Sequence, residues 1–299
     1  VEYVRFNPRE PIPEEHEDAE VLVIWGNPPD LQKDAARRLR NLRCVQSLNA
    51  GVKDHFSAGF PEDVPICNGR GLHTITVAEH TLALLLAAAR RIHEMRDAQP
   101  HHRWPGHLSK GQPIRPKDDF RGVDHANIVI WGMGSIGQRL GHILKVMGAN
   151  VQGIATRAGE RNGIPVAGPE DIDRILPTAH ALVMILPDTP ETLNALSAER
   201  LALLPRHAWV VNVGRGANID EAALAEALRD HTIAGAALDV FQTEPLPEDS
   251  PLWDLDNVII SPHAAGGRAL GAADLIQRQV ENLLNGQPLE NQVDPNKGY

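Results

Sequence analysis

Cysteine is nearly absent from this chain. Its 299 residues include two, Cys44 and Cys67, without CxxC or metal-type spacing, which is too few to staple a disulfide framework. Reduced core thiols in a cytoplasmic protein are expected. An excess of positive charge is also lacking. Lys and Arg number 29 against 39 Asp and Glu, a formal charge of −10. This argues against nucleic acid and anionic lipid as partners, since both need a basic face. Long apolar runs are missing too. The richest, Thr81 to Ala89, is helix-sized and flanked by Glu79, His80, Arg90 and Arg91, short of the roughly 18 residues of a membrane span. The opening Val1-Glu2-Tyr3 has no charged n-region or apolar h-region, so no signal peptide is expected and the location is read as cytoplasmic. With no initiator Met, the gene product can start elsewhere. Internal repeats and low-complexity tracts are absent.

What is present is an ordinary globular composition, 42% apolar and 23% charged, at a length that suggests two domains. Short apolar strands alternate with amphipathic helices, the pattern of parallel α/β sheets. Early strands are expected at Val1–Phe6, Val21–Trp25 and Arg43–Leu48, with a helix at Asp30–Arg40. A long helix is expected at Val77–Asp97, then a surface stretch from Gln99 to Asp119 with four prolines and three histidines. Six further strands are read at Asn127–Trp131, Asn150–Ala155, His180–Leu186, Trp209–Val213, Ile233–Val240 and Val258–Ile260, apolar nearly throughout as strands covered on both faces should be. Helices are read at Ser135–Met147, at Asp220–Arg229 with Asp220 as N-cap, and at Arg268–Leu284. The fold class is therefore α/β with two Rossmann-like domains. A central doubly wound, dinucleotide-binding domain (73–266) is inserted in a smaller flavodoxin-like substrate domain (1–72 and 267–299), and a cleft between domains is the default ligand site.

Gly132-Met133-Gly134-Ser135-Ile136-Gly137 follows a buried-type strand and opens a helix, the context that makes GxGxxG a dinucleotide signal. Gly132 permits the tight turn, Gly134 lets amides approach a pyrophosphate, and Gly137 allows close helix–strand packing. Ser135 and Ile136 lie at the helix N-terminus, which favours an anion. A ribose-gripping carboxylate belongs about 20 residues on. The sequence there reads Ala155-Thr156-Arg157, so Thr156 and Arg157 are read as partners of a 2′-phosphate. NADP is the expected cofactor, with NAD as the alternative.

The run Val211-Asn212-Val213-Gly214-Arg215-Gly216, with Asp220-Glu221, Leu238-Asp239-Val240-Phe241, Glu244-Pro245-Leu246 and Ser261-Pro262-His263, resembles the D-isomer-specific 2-hydroxyacid dehydrogenases, including glyoxylate/hydroxypyruvate reductases. Asn49-Ala50-Gly51-Val52, Val77-Ala78-Glu79-His80 through Arg90, and Leu186-Pro187 with Thr189-Pro190-Glu191-Thr192 extend it, in the family's order, from about residue 42 to Gly298-Tyr299. The resemblance implies that Arg215 binds the substrate carboxylate and polarises the 2-oxo group. His263 exchanges a proton with the carbonyl oxygen, and Glu244 holds its imidazole. Asp239 faces the nicotinamide. Leu186, Pro187, Thr192, Val213, Gly214 and His263 contact the cofactor. Ala50, Gly51 and Val52 contact the substrate. It also implies a homodimer through the helix that carries Leu82–Leu86. The residue types suit the chemistry independently: a guanidinium fork for a planar carboxylate, and an acid for the oxygen.

This sequence departs from the family where a preceding strand–helix unit is missing or shortened, and where bulky Trp131 stands before the glycines. The reading is an NADPH-preferring reductase of small 2-oxo acids that forms D-2-hydroxy acids. Oxidation of phosphite or formate is an alternative, against which Glu244 speaks for formate, because formate dehydrogenases of this kind carry an amide there. A non-catalytic NAD(P)(H)-sensing binding protein of the same fold is another. His93, His101, His102 and His107 lack ligand-spaced Cys or carboxylate partners, so an exposed loop is expected there and no metal.

Overall fold

The computed structural model describes residues 1–109 and 118–294. The rest of the Gln99–Asp119 stretch and the Gly298-Tyr299 end lie outside the described residues. Two compact units emerge, residues 1–73 with 268–299, and residues 74–267.

In the smaller unit, β1 (Val21–Ile24), β2 (Cys44–Ser47) and β3 (Ile66–Cys67) form a parallel sheet in that order. The first expected strand is not one. Val1–Phe6 runs as irregular chain, with Val1 80% and Tyr3 61% exposed. Its apolar residues alternate with Glu2 and Arg5, and prolines at 8, 11 and 13 deny the segment a continuing ladder. The helix Pro29–Arg38 connects β1 to β2, and Ala272–Leu284 closes the unit four residues later than expected, after Gly271 in the left-handed region. Cys44 and Cys67 are free, buried thiols.

The larger unit adds β4 (Asn127–Trp131), β5 (Asn150–Ile154), β6 (Gly159–Arg161), β7 (Ile164–Ala167), β8 (Ala181–Met184), β9 (Trp209–Asn212), β10 (Gly235–Leu238) and β11 (Val258–Ile260). These strands pair as β7-β5-β4-β8-β9-β10-β11, all parallel, with β6 antiparallel outside β7. The direction of winding reverses between β4 and β8, the switch point at which such sheets bind ligands. Sequence reading missed β6 and β7 because Gly159–Ala167 alternates polar, glycine and proline residues.

Alternation along each strand divides two cores. Val129 and Trp131 join Leu182, Met184 and Val210 on one face. Ile128 and Ile130 join Ala181, Val183, Trp209 and Val211 on the other, each large side chain contributing about 1.5–3 kcal/mol of burial. Trp131 is accommodated because Arg200 stacks over its ring. The second core is covered by the helices Thr74–Ala89 and Ser135–Val146, and Leu82 and Leu86 pack against it. Asp220 caps its helix, accepting from the Ala223 amide. The expected long helix breaks. Arg91 adopts a left-handed conformation, its guanidinium over Trp209, and a separate helix, Ile92–Ala98, follows. That helix also corrects the exposed-loop reading for one histidine, since His93 is half-buried with its ring 5.5 Å from that of Trp209.

Candidate active site

The glycine turn joins β4 to the helix Ser135–Val146 at the switch point. Gly132 has φ +118°, and a Cβ there would strike the Ile185 carbonyl following β8, so only glycine fits. Gly134, by contrast, faces open space. No side chain caps the helix that begins at Ser135. Its first amides therefore have no side-chain cap, and Ile136 packs against the second core; uncapped amides at a helix N-terminus are the groups that can receive an anion.

The tip of β5 carries Ala155, Thr156 and Arg157, the last two exposed. The β6–β7 hairpin supplies a residue that sequence reading missed. Arg161 Nη1 donates to the Met133 carbonyl within the glycine turn at 2.5 Å, and its Nη2 donates to the Arg157 carbonyl. Neither arginine makes an ion pair among the described residues. The signal was a second arginine four residues after the first, hidden by the unrecognised hairpin.

The loops after β8 and β9 are fastened together. Asn218, fully buried, donates to the carbonyls of Pro187 and Thr192 and accepts from the Arg215 amide. Asn212 donates to the Arg215 carbonyl and accepts from the Gly214 amide. Val213 donates to Met184. Leu186, Pro187, Thr192, Val213 and Gly214 thus form one assembly, on which Arg215 is held by its backbone. Its guanidinium donates only to the Gly214 carbonyl at 2.6 Å and has no carboxylate partner among the described residues.

The loops after β10 and β11 bring His263 and Glu244 together. His263 Nδ1 lies 2.7 Å from Glu244 Oε2, while Glu244 Oε1 accepts from the Phe241 amide. A carboxylate can only accept, so Nδ1 carries a hydrogen and Nε2 is left to exchange a proton. His263 is left-handed, with φ 51°, a conformation that costs about 1 kcal/mol or more unless its surroundings enforce it. Asp239 enforces it. This wholly buried carboxylate accepts from the Ser261 hydroxyl at 2.5 Å and from the amides of Ala264 and Ala265, and the Asp239 carbonyl accepts from the His263 amide. His80, on the Thr74–Ala89 helix, completes the cluster, its Nε2 2.9 Å from Ser261 Oγ and 3.2 Å from Asp239 Oδ1. Sequence reading gave neither Ser261 nor His80 a role. A histidine just before the apolar run that begins at Leu82 was the available signal.

In the smaller unit, Ala50, Gly51 and Val52 form the loop after β2, just before a single-turn helix. Among the described residues no group of three or more His, Cys, Asp or Glu gathers to hold a metal, and none of the described helices is long and apolar enough to cross a membrane.

A family model described as the NAD binding domain of D-isomer specific 2-hydroxyacid dehydrogenases matches residues 82–265. The chain is 36% identical over 285 residues to glyoxylate/hydroxypyruvate reductase B of Pectobacterium atrosepticum, with 91% of this chain and 85% of the relative covered. Among solved structures it resembles a D-isomer specific 2-hydroxyacid dehydrogenase of Xanthobacter autotrophicus Py2 in complex with NADPH and MES (TM-score 0.80, 33% identity, 99% of this chain and 88% of that one). It also resembles an NADPH-dependent glyoxylate/hydroxypyruvate reductase of Sinorhizobium meliloti in complex with NADP and sulfate (TM-score 0.80, 28% identity, 95% and 89%). The chain belongs to the D-isomer specific 2-hydroxyacid dehydrogenase family. It is a nicotinamide-dependent oxidoreductase that interconverts 2-oxo and 2-hydroxy acids.

Proposed function

We propose that this enzyme is an NADPH-preferring reductase of small 2-oxo acids, glyoxylate or hydroxypyruvate, that forms D-2-hydroxy acids. Bound NADPH supplies the hydride. Arg215 takes the substrate carboxylate in a bidentate fork and draws electron density from the 2-oxo group, and the amides of Gly51 and Val52, with Ala50, serve the same anion. His263 donates its Nε2 proton to the carbonyl oxygen as the carbon gains the hydride, and takes it back in oxidation. Glu244 compensates the charge of the protonated ring. Asp239 keeps His263 in register beside the nicotinamide. The cofactor lies on Gly132, Gly134, Ser135, Ile136 and Gly137. Leu186, Pro187, Thr192, Val213 and Gly214 flank it, and Thr156 and Arg157 meet the 2′-phosphate with Arg161 added. We assign residues 1–72 and 267–299 to the substrate domain and 73–266 to the dinucleotide domain, and expect a cytoplasmic homodimer.

The observation that carries this reading is the short His263–Glu244 contact, which among the described residues leaves Nε2 unengaged, together with an arginine on the neighbouring strand end that has no carboxylate partner among the described residues. The test is NADPH consumption across a panel of 2-oxo acids. Turnover of glyoxylate or hydroxypyruvate with kcat/KM above that for bulkier acids supports it. Cofactor binding without turnover of any acid in the panel would instead favour the nucleotide-sensing alternative.

A further inference from the structure

The substrate loop of the smaller unit is anchored by a buried chain of hydrogen bonds whose proton order is fixed. Gln32 donates through Nε2 to the Asn27 carbonyl at 2.7 Å, so its Oε1 faces His55 Nδ1, 2.8 Å away. An amide oxygen only accepts, hence Nδ1 carries the hydrogen and Nε2 of the neutral ring accepts. Its partner is Ser47 Oγ at 2.8 Å, which must donate. The same Ser47 oxygen then accepts the Asn49 amide at 3.1 Å. Asn49 is the residue from which Ala50-Gly51-Val52 departs, and its carbonyl accepts the Gly69 amide at 2.7 Å. Ser47 is 0% and His55 4% exposed, so water does not substitute for a missing partner.

We propose that His55 is a positioning residue for substrate binding, its neutral ring holding Asn49, and through it the carboxylate-binding loop, in the binding conformation. This rests on the reading that Gly51 and Val52 serve the substrate carboxylate. A charged ring breaks the order of the chain: Nε2 becomes a donor, the Ser47 hydroxyl proton loses its acceptor, and a cation is buried. Among the described residues the two ring nitrogens meet uncharged groups, Gln32 from the Pro29–Arg38 helix and Ser47 from β2, while Asp54 beside it is the anion acting on it. Burial outweighs Asp54 and holds the ring below its ordinary range. Loop order therefore persists at neutral pH and is lost in acid.

Two variants and two readouts test this. His55→Phe keeps an aromatic ring there but strands Ser47 and Gln32. It should raise KM for glyoxylate and hydroxypyruvate about tenfold at neutral pH, leave kcat and the Kd of NADPH within about threefold, and speed deuterium uptake in a peptide covering residues 48–52. Wild-type KM should rise on the acid side, below about pH 6.5, and this rise should vanish in His55→Phe. Gln32→Glu places a carboxylate against Nδ1 that favours the charged ring, so the acid-side rise in KM should move to higher pH. A merely structural role would not move it, and this variant decides the matter should His55→Phe fail to fold. Unchanged deuterium uptake in both variants overturns the proposal, as does an acid-side rise that Gln32→Glu leaves in place. Gly51→Pro, which removes a loop amide, separates the two layers. If it raises KM while His55→Phe does not, His55 has no positioning role. If neither raises KM, the loop reading fails, and this inference fails with it.

Discussion

Two buried polar networks, one in each unit, are built from opposite materials. In the larger unit the centre is a carboxylate, Asp239, with Ser261, His80 and two backbone amides converging on it. In the smaller unit the centres are neutral. Gln279 donates to Gln46 and to the Glu290 carbonyl and accepts the Glu290 amide, which ties β2 to the last helix, and His55 links Gln32 to Ser47. A buried carboxylate attracts amides strongly enough to force a histidine into a left-handed conformation. Neutral amides bind more weakly and are easier to satisfy after a change. On the proposed function, the charged network would aim the proton donor and the neutral network would shape a substrate loop. If this contrast holds, damage to the charged side should cost chemistry first, and damage to the neutral side should cost binding and stability.

The largest effect is expected at Arg215. Arg215→Lys retains charge but loses the planar fork, and kcat/KM for 2-oxo acids should fall about a thousandfold while the Kd of NADPH stays nearly constant. A similar loss of NADPH affinity would show that Arg215 serves the cofactor. Next is Asp239→Asn. The amide turns a donor toward one of the converging amides, so turnover should fall about a hundredfold and stability by about 3 kcal/mol. Chemical denaturation and initial rates measured on the same preparation check both, and a variant with intact rate would remove Asp239 from the positioning of His263. Glu244→Gln should cost about tenfold in kcat. Initial rates at saturating 2-oxo acid and NADPH check this, and an unchanged kcat sinks the role given to Glu244.

Arg157→Ala should raise KM for NADPH about tenfold with little change for NADH, and Arg161→Ala should add to it. Equal use of both cofactors by the unaltered enzyme would mean that Arg157 only faces solvent. The smallest effect concerns acid stability. Burial holds His55, His93 and His207 below their ordinary range. As pH falls below about 6.5 the unfolded chain takes up protons that the folded chain refuses, so stability is fully present above that value and declines toward acid. Each such histidine contributes at most about 1.4 kcal/mol per pH unit. His55→Phe should make the decline shallower by about one proton, which urea titration at several pH values resolves.

Much of this was legible locally. A buried strand, a Gly132-to-Gly137 turn and an amphipathic helix adjoin in sequence, so pattern reading suffices there, as it does for the Asp220 cap. The short β6 and β7 were illegible because glycine, proline and charge interrupt their alternation. The absence of a strand at Val1–Phe6 was illegible for the converse reason, since alternation was present and a partner was not. The Val77–Asp97 helix broke because Trp209, distant in sequence, offers Arg91 a stacking surface that compensates for leaving the helix.

By itself the sequence determined the period of each strand and helix, the nucleotide turn and the residue types of the site, because these depend on neighbours along the chain. Only the tertiary structure decided that His80 joins Ser261 and Asp239, and that Arg161 reaches the glycine turn. His80 lies 181 residues from Ser261, and Arg161 lies 28 from Met133. Strand order and the helices packed on the sheet bring each pair together, and that order follows from burying two apolar faces at once, a requirement of the whole sheet that no local window contains.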